Sequence, residues 1–302
     1  TGVFLGVFMR RVLGVLPILF LTTSPVAAQR GVAAEQIAAM RQLGDVQISP
    51  DGQWVVYTVT LPDLKQSGMD PDVWLVSTKG GAPVRLTTSK KRDEHPRWSP
   101  EGNWIGFLSD REEKPQIWRI SPFGGEAEKL SDSKSGVVDF AWAPDGKRIA
   151  YVAPREPTPD EERKQKEKDD ALVVDRDFQF TRLSVLDLAS KKATELVKGD
   201  FQVSDPEWSP DGTRIAYVQV PTPRADDSRY ADVFVLDVAS GQSRKLVENP
   251  GPDGSPSWSP DGAEIAFHTR SAKNAGILQP RLAVVSAQGG APRMVASDFL
   301  YA

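Results

Sequence analysis

Apolar residues recur along this chain in one short phrase. A bulky apolar residue, a turn of Ser/Ala-Pro-Asp/Glu-Gly and an apolar run return five times, most cleanly from Trp208 to Tyr217. The other copies begin at Ile48, Trp98, Trp142 and Trp258. Third after each turn glycine stands Val55, Ile105, Ile149, Ile215 or Ile265, and fifth stands Tyr57, Phe107, Tyr151, Tyr217 or Phe267. Between them lie Val56, Gly106, Ala150, Ala216 and Ala266, mostly small. This alternation predicts a strand covered on both faces, one of them closely. The turn itself reads as type I: proline presets φ at the first corner, Asp or Glu suits the second, and glycine takes the left-handed closing position. The leading serine is placed to hydrogen-bond the turn's own backbone.

A second set of offsets completes the unit. A third strand is predicted at 73–76, 117–120, 183–186, 233–236 and 282–285, and a turn follows each. A fourth strand is predicted around Leu86, Leu130, Leu196, Leu246 and Val295. The turn glycines are spaced by 50, 44, 66 and 50 residues. Four strands recurring at that period are the mark of a β-propeller blade. The reading is all-β: a propeller over 45–302 with five four-stranded blades at about 45–88, 89–132, 133–198, 199–248 and 249–297. Five blades are expected to leave the ring incomplete, and the chain to stop short of further ones.

Length variation falls on one connection only, between strands two and three, so it gathers on one rim of the ring. In repeat proteins such a rim is usually the interaction face. The longest connection, 153–181, has a charged first half including Asp160-Glu161-Glu162-Arg163-Lys164 and a more apolar second half. It is expected to be a solvated excursion that returns as an extra strand.

Upstream of the repeats, Met9-Arg10-Arg11, an apolar run of ten residues and Val26-Ala27-Ala28 read as a signal peptide over 1–28, with a lead-in at 29–44. Ten apolar residues are too few for the ~30 Å of a bilayer core, so cleavage and export to the periplasm are expected, with no membrane partner afterwards. A net charge of −4 gives no reason to expect nucleic acid. The absence of cysteine removes disulfides, thiolate nucleophiles and Cys-ligated metals.

Candidate chemistry is sparse. There is no G-x-S-x-G elbow, H-E-x-x-H pair, phosphate-binding loop or dinucleotide fingerprint. Asp51, Asp145, Asp211 and Asp261, with Glu101, occupy equivalent turn positions and read as turn caps. His95 and His268 have no partners at metal-ligand spacing, and the eight tryptophans read as inter-blade core. Asp169-Asp170 and Asp226-Asp227 read as solvated loop charges. No catalytic, cofactor-binding or metal residue is assigned, and no cofactor is expected.

The run from Gln47 to Tyr57, with Asp72-Val73-Trp74-Leu75-Val76 and Arg85-Leu86-Thr87, resembles the opening blade of prolyl oligopeptidase family serine peptidases. The closest branch is the acylaminoacyl-peptidase and dipeptidyl-aminopeptidase type. The charged insert at 156–170, then Val173-Val174-Asp175-Arg176, is similar to that branch as well. The resemblance implies a propeller followed by an α/β-hydrolase domain carrying a Ser-Asp-His triad, none of whose motif positions occur here. It therefore implies a non-catalytic portion, inactive alone, that gates short peptides and docks the hydrolase, and that can form a homo-oligomer. The alternative is a periplasmic TolB-like propeller acting as a protein-binding module.

Overall fold

The computed structural model describes residues 39–63, 68–169, 177–249, 251–270 and 280–295. The signal-peptide and lead-in readings fall almost wholly outside them. Five four-stranded antiparallel sheets are built in chain order. Blade 1 holds β1 (Gln42–Ile48), β2 (Trp54–Asp63), β3 (Gly68–Ser77) and β4 (Val84–Arg85). Blade 2 holds β5 (Asp93–Trp98), β6 (Ile105–Ser109), β7 (Gln116–Ile120) and β8 (Glu128–Lys129). Blade 3 holds β9 (Asp139–Trp142), β10 (Arg148–Pro154), β11 (Thr181–Asp187) and β12 (Lys192–Val197). Blade 4 holds β13 (Gln202–Trp208), β14 (Arg214–Val220), β15 (Asp232–Asp237) and β16 (Ser243–Lys245). Blade 5 holds β17 (Asp253–Trp258), β18 (Glu264–Thr269), β19 (Arg281–Ser286) and β20 (Arg293–Val295).

Each first hairpin is closed by its Pro-Asp/Glu-Gly turn. The turn glycines have φ between 63 and 72°, in the left-handed region. Ser49, Ser99, Ser209 and Ser259 Oγ accept the backbone N–H five residues on, at 2.9–3.1 Å. Asp51, Asp145, Asp211 and Asp261 Oδ1 accept the N–H two residues on, at 2.8–3.0 Å. A hydrogen bond from the turn serine holds the Asp51, Asp211 and Asp261 carboxyls below their usual range, Asp211 at about 2.

The alternation on strand two has a direct packing meaning. Ile215, Tyr217 and Leu236 of blade 4 pack on Ala150, Val152, Leu183 and Val185 of blade 3. Ile265, Phe267, Ala283 and Val285 of blade 5 pack on Ala216, Val233 and Val235 of blade 4. Blades 2 and 3 join through Leu108, Ile117, Ile149, Tyr151 and Leu186. Blades 1 and 2 join through Val56, Val73, Leu75, Ile105 and Phe107. Large residues face the preceding blade and small ones the following blade. The indole of each later blade fixes the spacing. Trp142, Trp208 and Trp258 Nε1 donate to the carbonyls of Arg97, Ala141 and Glu207 in the preceding blade, at 3.1–3.2 Å. Arg148 and Arg214 reach the other way, stacking on Trp208 and Trp258 at 4.8 and 4.7 Å while bonding the next turn's glycine carbonyl.

Five blades thus give four buried cores among the described residues. The free faces lie at the two ends. Val55, Tyr57, Trp74 and Val76 on blade 1 are only half-buried, as are Ala266 and Val284 on blade 5, although their counterparts between blades are mostly covered. Among the described residues the array is an open one.

Two elements depart from the sequence reading. The outermost strands are shorter than expected in blades 1, 2 and 4, where Leu86, Leu130 and Leu246 fall just past the strand while still donating to β3, β7 and β15. In blades 1 and 2 the following hydroxyl ends the ladder, since Thr87 Oγ1 and Ser131 Oγ take the N–H groups of Val73 and Ile117. The charged half of the 153–181 insert is mostly solvent-exposed, as expected, but carries a helix that the sequence reading did not include, α1 (Pro159–Glu167). The apolar second half lies largely outside the described residues.

Candidate functional site: the central channel

The first strands β1, β5, β9, β13 and β17 stand side by side about the axis. In four of them the register slips by one residue, between Gly44 and Gln47, Glu94 and Arg97, Ser204 and Glu207, and Gly254 and Ser257. Each slip is a bulge whose first residue has positive φ: Asp45 (48°), His95 (58°), Asp205 (52°) and Ser255 (51°). In three of the four the next residue is proline (Pro96, Pro206, Pro256), whose missing N–H suits a broken ladder. Two of the bulge residues, Asp205 and Ser255, line a cavity among the first strands. The lining includes Arg97, Asp139, Asp205 and Glu207, set among Ile48, Phe140 and the indole of Trp98 in a cavity of about 490 Å³.

Charge in this cavity is unevenly met. Arg97 Nη1 donates to the Pro96 carbonyl at 2.9 Å, and Nη2 lies 3.3 Å from His95 Nδ1. That contact makes Nδ1 the acceptor and puts the imidazole hydrogen on Nε2, which stands 2.8 Å from Asp139 Oδ1, off the line of a hydrogen bond. Glu207 takes part in no side-chain hydrogen bond or ion pair among the described residues. Burial pushes its carboxyl up to about 7, against the pull of Arg97. Burial also raises Asp205, whose Oδ2 accepts only a long bond from Ser255 N at 3.4 Å.

The residues singled out from sequence separate here. His95 lies behind the channel lining, against Arg97 and Asp139, the latter a carboxylate forty-four positions along the chain that spacing alone did not reveal. His268 is exposed on the free face of blade 5. The four turn aspartates each serve their own turn, and a Cβ on Gly146 would fall 2.2 Å from Glu101 Oε1. Asp226 and Asp227 sit in a 3-10 helix (Ala225–Tyr230), Asp227 accepting from Thr222 Oγ1. Asp170 lies outside the described residues. Arg97, Asp139, Asp205 and Glu207 were passed over, although the sequence carries a usable sign: a polar residue three places before each opening residue of the repeat, as in Asp45, His95, Asp139, Asp205 and Ser255. Among the described residues no three His, Asp or Glu side chains form a metal site, and no helix is long and apolar enough to cross a membrane.

Serially packed four-stranded blades about a charged axis define a β-propeller domain, and residues 33–169 match the family described as the TolB beta propeller domain. The chain is similar to an uncharacterized peptidase, YuxL, of Bacillus subtilis, 35% identical over 81 residues, 27% of this chain and 12% of that protein. It is similar to dipeptidyl-peptidase 5 of Porphyromonas endodontalis, 29% identical over 75 residues, 25% of this chain and 11% of that protein. The matched stretches thus span about a tenth of the length of these relatives. Among solved structures, the Pyrococcus horikoshii acylaminoacyl peptidase superposes with a TM-score of 0.61 at 19% identity, over 86% of this chain and 40% of that one. The putative TolB of Agrobacterium tumefaciens superposes at 0.60 and 18% identity, over 84% and 80%. At such identities the structures speak for the fold alone. The two curated relatives bear peptidase names, in keeping with the resemblance to the propeller portion of prolyl oligopeptidase family peptidases, and the fold is shared with TolB as well.

Proposed function

We propose that this propeller is the gating and docking part of an exported peptidase of the prolyl oligopeptidase type. Its channel admits short peptides, and its variable rim, which carries α1, meets a hydrolase domain. The observation that carries the reading is the pairing of sequence similarity to named peptidases with an axial cavity lined by charged side chains rather than filled by core. A cavity of about 490 Å³ suits a few residues of extended chain and excludes a folded protein. Export rests on the signal-peptide pattern before Gln29, and N-terminal sequencing of the protein recovered from a periplasmic extract should begin there.

The test is a titration of the chain with short peptides and with a small folded protein, followed by tryptophan fluorescence. Saturable binding of the peptides alone supports gating. Tight binding of a folded partner and none of peptides would overturn it in favour of a TolB-like protein-binding module. That second reading has its own support in the description of the family matched by residues 33–169.

A further inference from the structure

We infer that Arg97 is a movable bar in the channel and that His95 is its latch. Neutral His95 holds the guanidinium against β5; once protonated, it releases the guanidinium to the carboxylate of Glu207. The inference gives the gating reading a moving part, and its test needs no peptide, so the two can fail separately.

The latch contact exists in one protonation state only. A guanidinium has no acceptor, so Arg97 Nη2, 3.3 Å from His95 Nδ1, needs the lone pair of a neutral imidazole there. A proton on Nδ1 would set two cations face to face. The imidazole is the fixed partner. Its backbone sits in the bulge at φ 58°, its ring meets Phe140 edge-on at 5.5 Å, and Nε2 stands 2.8 Å from Asp139 Oδ1, which favours the imidazolium. Arg97 is the part free to move. The indole of Trp142 pins its carbonyl at 3.2 Å, but its guanidinium has only one further contact, from Nη1 to the Pro96 carbonyl at 2.9 Å. Burial disfavours the guanidinium charge, and Asp45, Asp139 and Glu207 pull the other way.

Of the carboxylates around this pair, most are engaged or turned to solvent. Glu94, beside His95, is held by Arg92 at 2.6 Å, and Asp139 accepts from Phe140 N at 2.7 Å. Asp45 on β1 is exposed, as is Asp205 on β13, which accepts a long bond from Ser255 N and feels the charge of His95. Glu207 shares the cavity with Arg97, and burial pushes its carboxyl up to about 7. Crossing therefore trades one proton: Glu207 gives it up to solvent, His95 takes one, and the net charge stays the same. One long contact gives way to two ion pairs, Arg97 with Glu207 and His95 with Asp139. The channel then has two arrangements of equal charge, one with Arg97 on its wall and one with Arg97 reaching to β13, and a ligand that fits one better shifts the population.

The test follows the Glu207 side-chain carboxyl by carbon-13 NMR against pH in the whole chain, with Glu207→Gln to assign the signal. In the wild type this signal and the imidazole C–H signal of His95 should share an inflection, because the two groups trade one proton. Independent single-step curves would overturn the latch without any variant. Two substitutions then separate the acceptor from the local packing: His95→Asn keeps an acceptor for Arg97, His95→Gly removes it, and both residues tolerate positive φ. In His95→Gly the freed guanidinium should bring the Glu207 titration down by at least about one pH unit, the effect of an opposite charge a few ångströms away. His95→Asn should leave it near the wild-type position, and Arg97→Met/His95→Gly should bring it back up. Equal titrations in the Gly and Asn variants, or a fall that survives the loss of Arg97, would overturn the inference; circular dichroism checks that each variant is folded.

Discussion

At Gly106 an added Cβ would come within 2.8 Å of Trp142 Nε1 and 3.0 Å of Phe140 Cε2. Blades 3 to 5 carry alanine at the same place, and blade 1 carries valine. The difference lies across the interface. Two residues before the tryptophan, blades 4 and 5 have Pro206 and Pro256, whereas blade 3 has the bulkier Phe140, fully buried. Gly106→Ala should therefore destabilise by about 1–3 kcal/mol, read as a lower urea midpoint, because rigid ring atoms must move to admit one methyl. Glu207 makes a separate prediction. Its folded pKa of about 7 stands above the 4.5 of a free carboxyl, so the protonated form is the one the fold favours. The stability it contributes is complete below about pH 4.5 and is lost as pH rises through 7. The ceiling is on the order of 3 kcal/mol, and solvent in the channel lowers it. Asp205 shifts in the same direction but keeps more solvent contact, so its share is smaller. Glu207→Gln should flatten the fall in urea midpoint between pH 5 and pH 8, and an unchanged slope would place its source elsewhere. In these terms the repeat phrase was legible because packing enforces it five times over. The channel was not, because each polar residue appears once and gains meaning only beside strands distant in the chain.

Helix α1 shows the same limit at the scale of an element. Its nine residues are polar all round, so no apolar period announced it. Its N-terminus was nonetheless written plainly: Thr158-Pro159-Asp160-Glu161 is a capping box with proline at the first helical position. Glu161 N donates to Thr158 Oγ1 at 3.3 Å, and Thr158 N donates to Glu161 Oε2 at 2.7 Å. Arg155, one residue past β10, grips the same carboxylate with both Nη groups at 2.7 and 2.5 Å. That ion pair above all holds Glu161 down at about 2. The helix is thus tied to its blade through one charged cluster rather than an apolar face. Thr158→Ala should cost the helix about 0.5–2 kcal/mol. The loss should appear as faster amide exchange within Pro159–Glu167 and leave the global unfolding midpoint nearly unmoved. A global shift of the full amount would mean that α1 packs on the blades more than its polarity allows.

At the largest scale, the four cores in series among the described residues make stability a sum over neighbouring blades rather than the property of one closed ring. Blades 2, 3 and 4 each hold two interfaces, and blades 1 and 5 each hold one. At the first end Leu43, Val46 and Ile48 of β1 are 71, 63 and 62% exposed, whereas Val203 and Trp208 on the equivalent strand of blade 4 are 3 and 5% exposed. Equivalent residues should then differ in worth by where they stand in the series. Ile215, fully buried between blades 3 and 4, should cost about 2–5 kcal/mol when cut to alanine. Val284, half-buried on the free face of blade 5, should cost under about 1 kcal/mol, since little of its surface leaves water in the fold. The same asymmetry predicts exchange protection highest in β6, β7, β10, β11, β14 and β15 and lowest in β1 and β19, because an end blade opens by breaking one core where a middle blade must break two. Should Val284→Ala prove as costly as Ile215→Ala in the isolated chain, the free face of blade 5 would have to be covered in solution. A rise in apparent mass with concentration would then identify a second copy as the cover, through the end faces that leave Val55, Tyr57 and Val284 half-exposed.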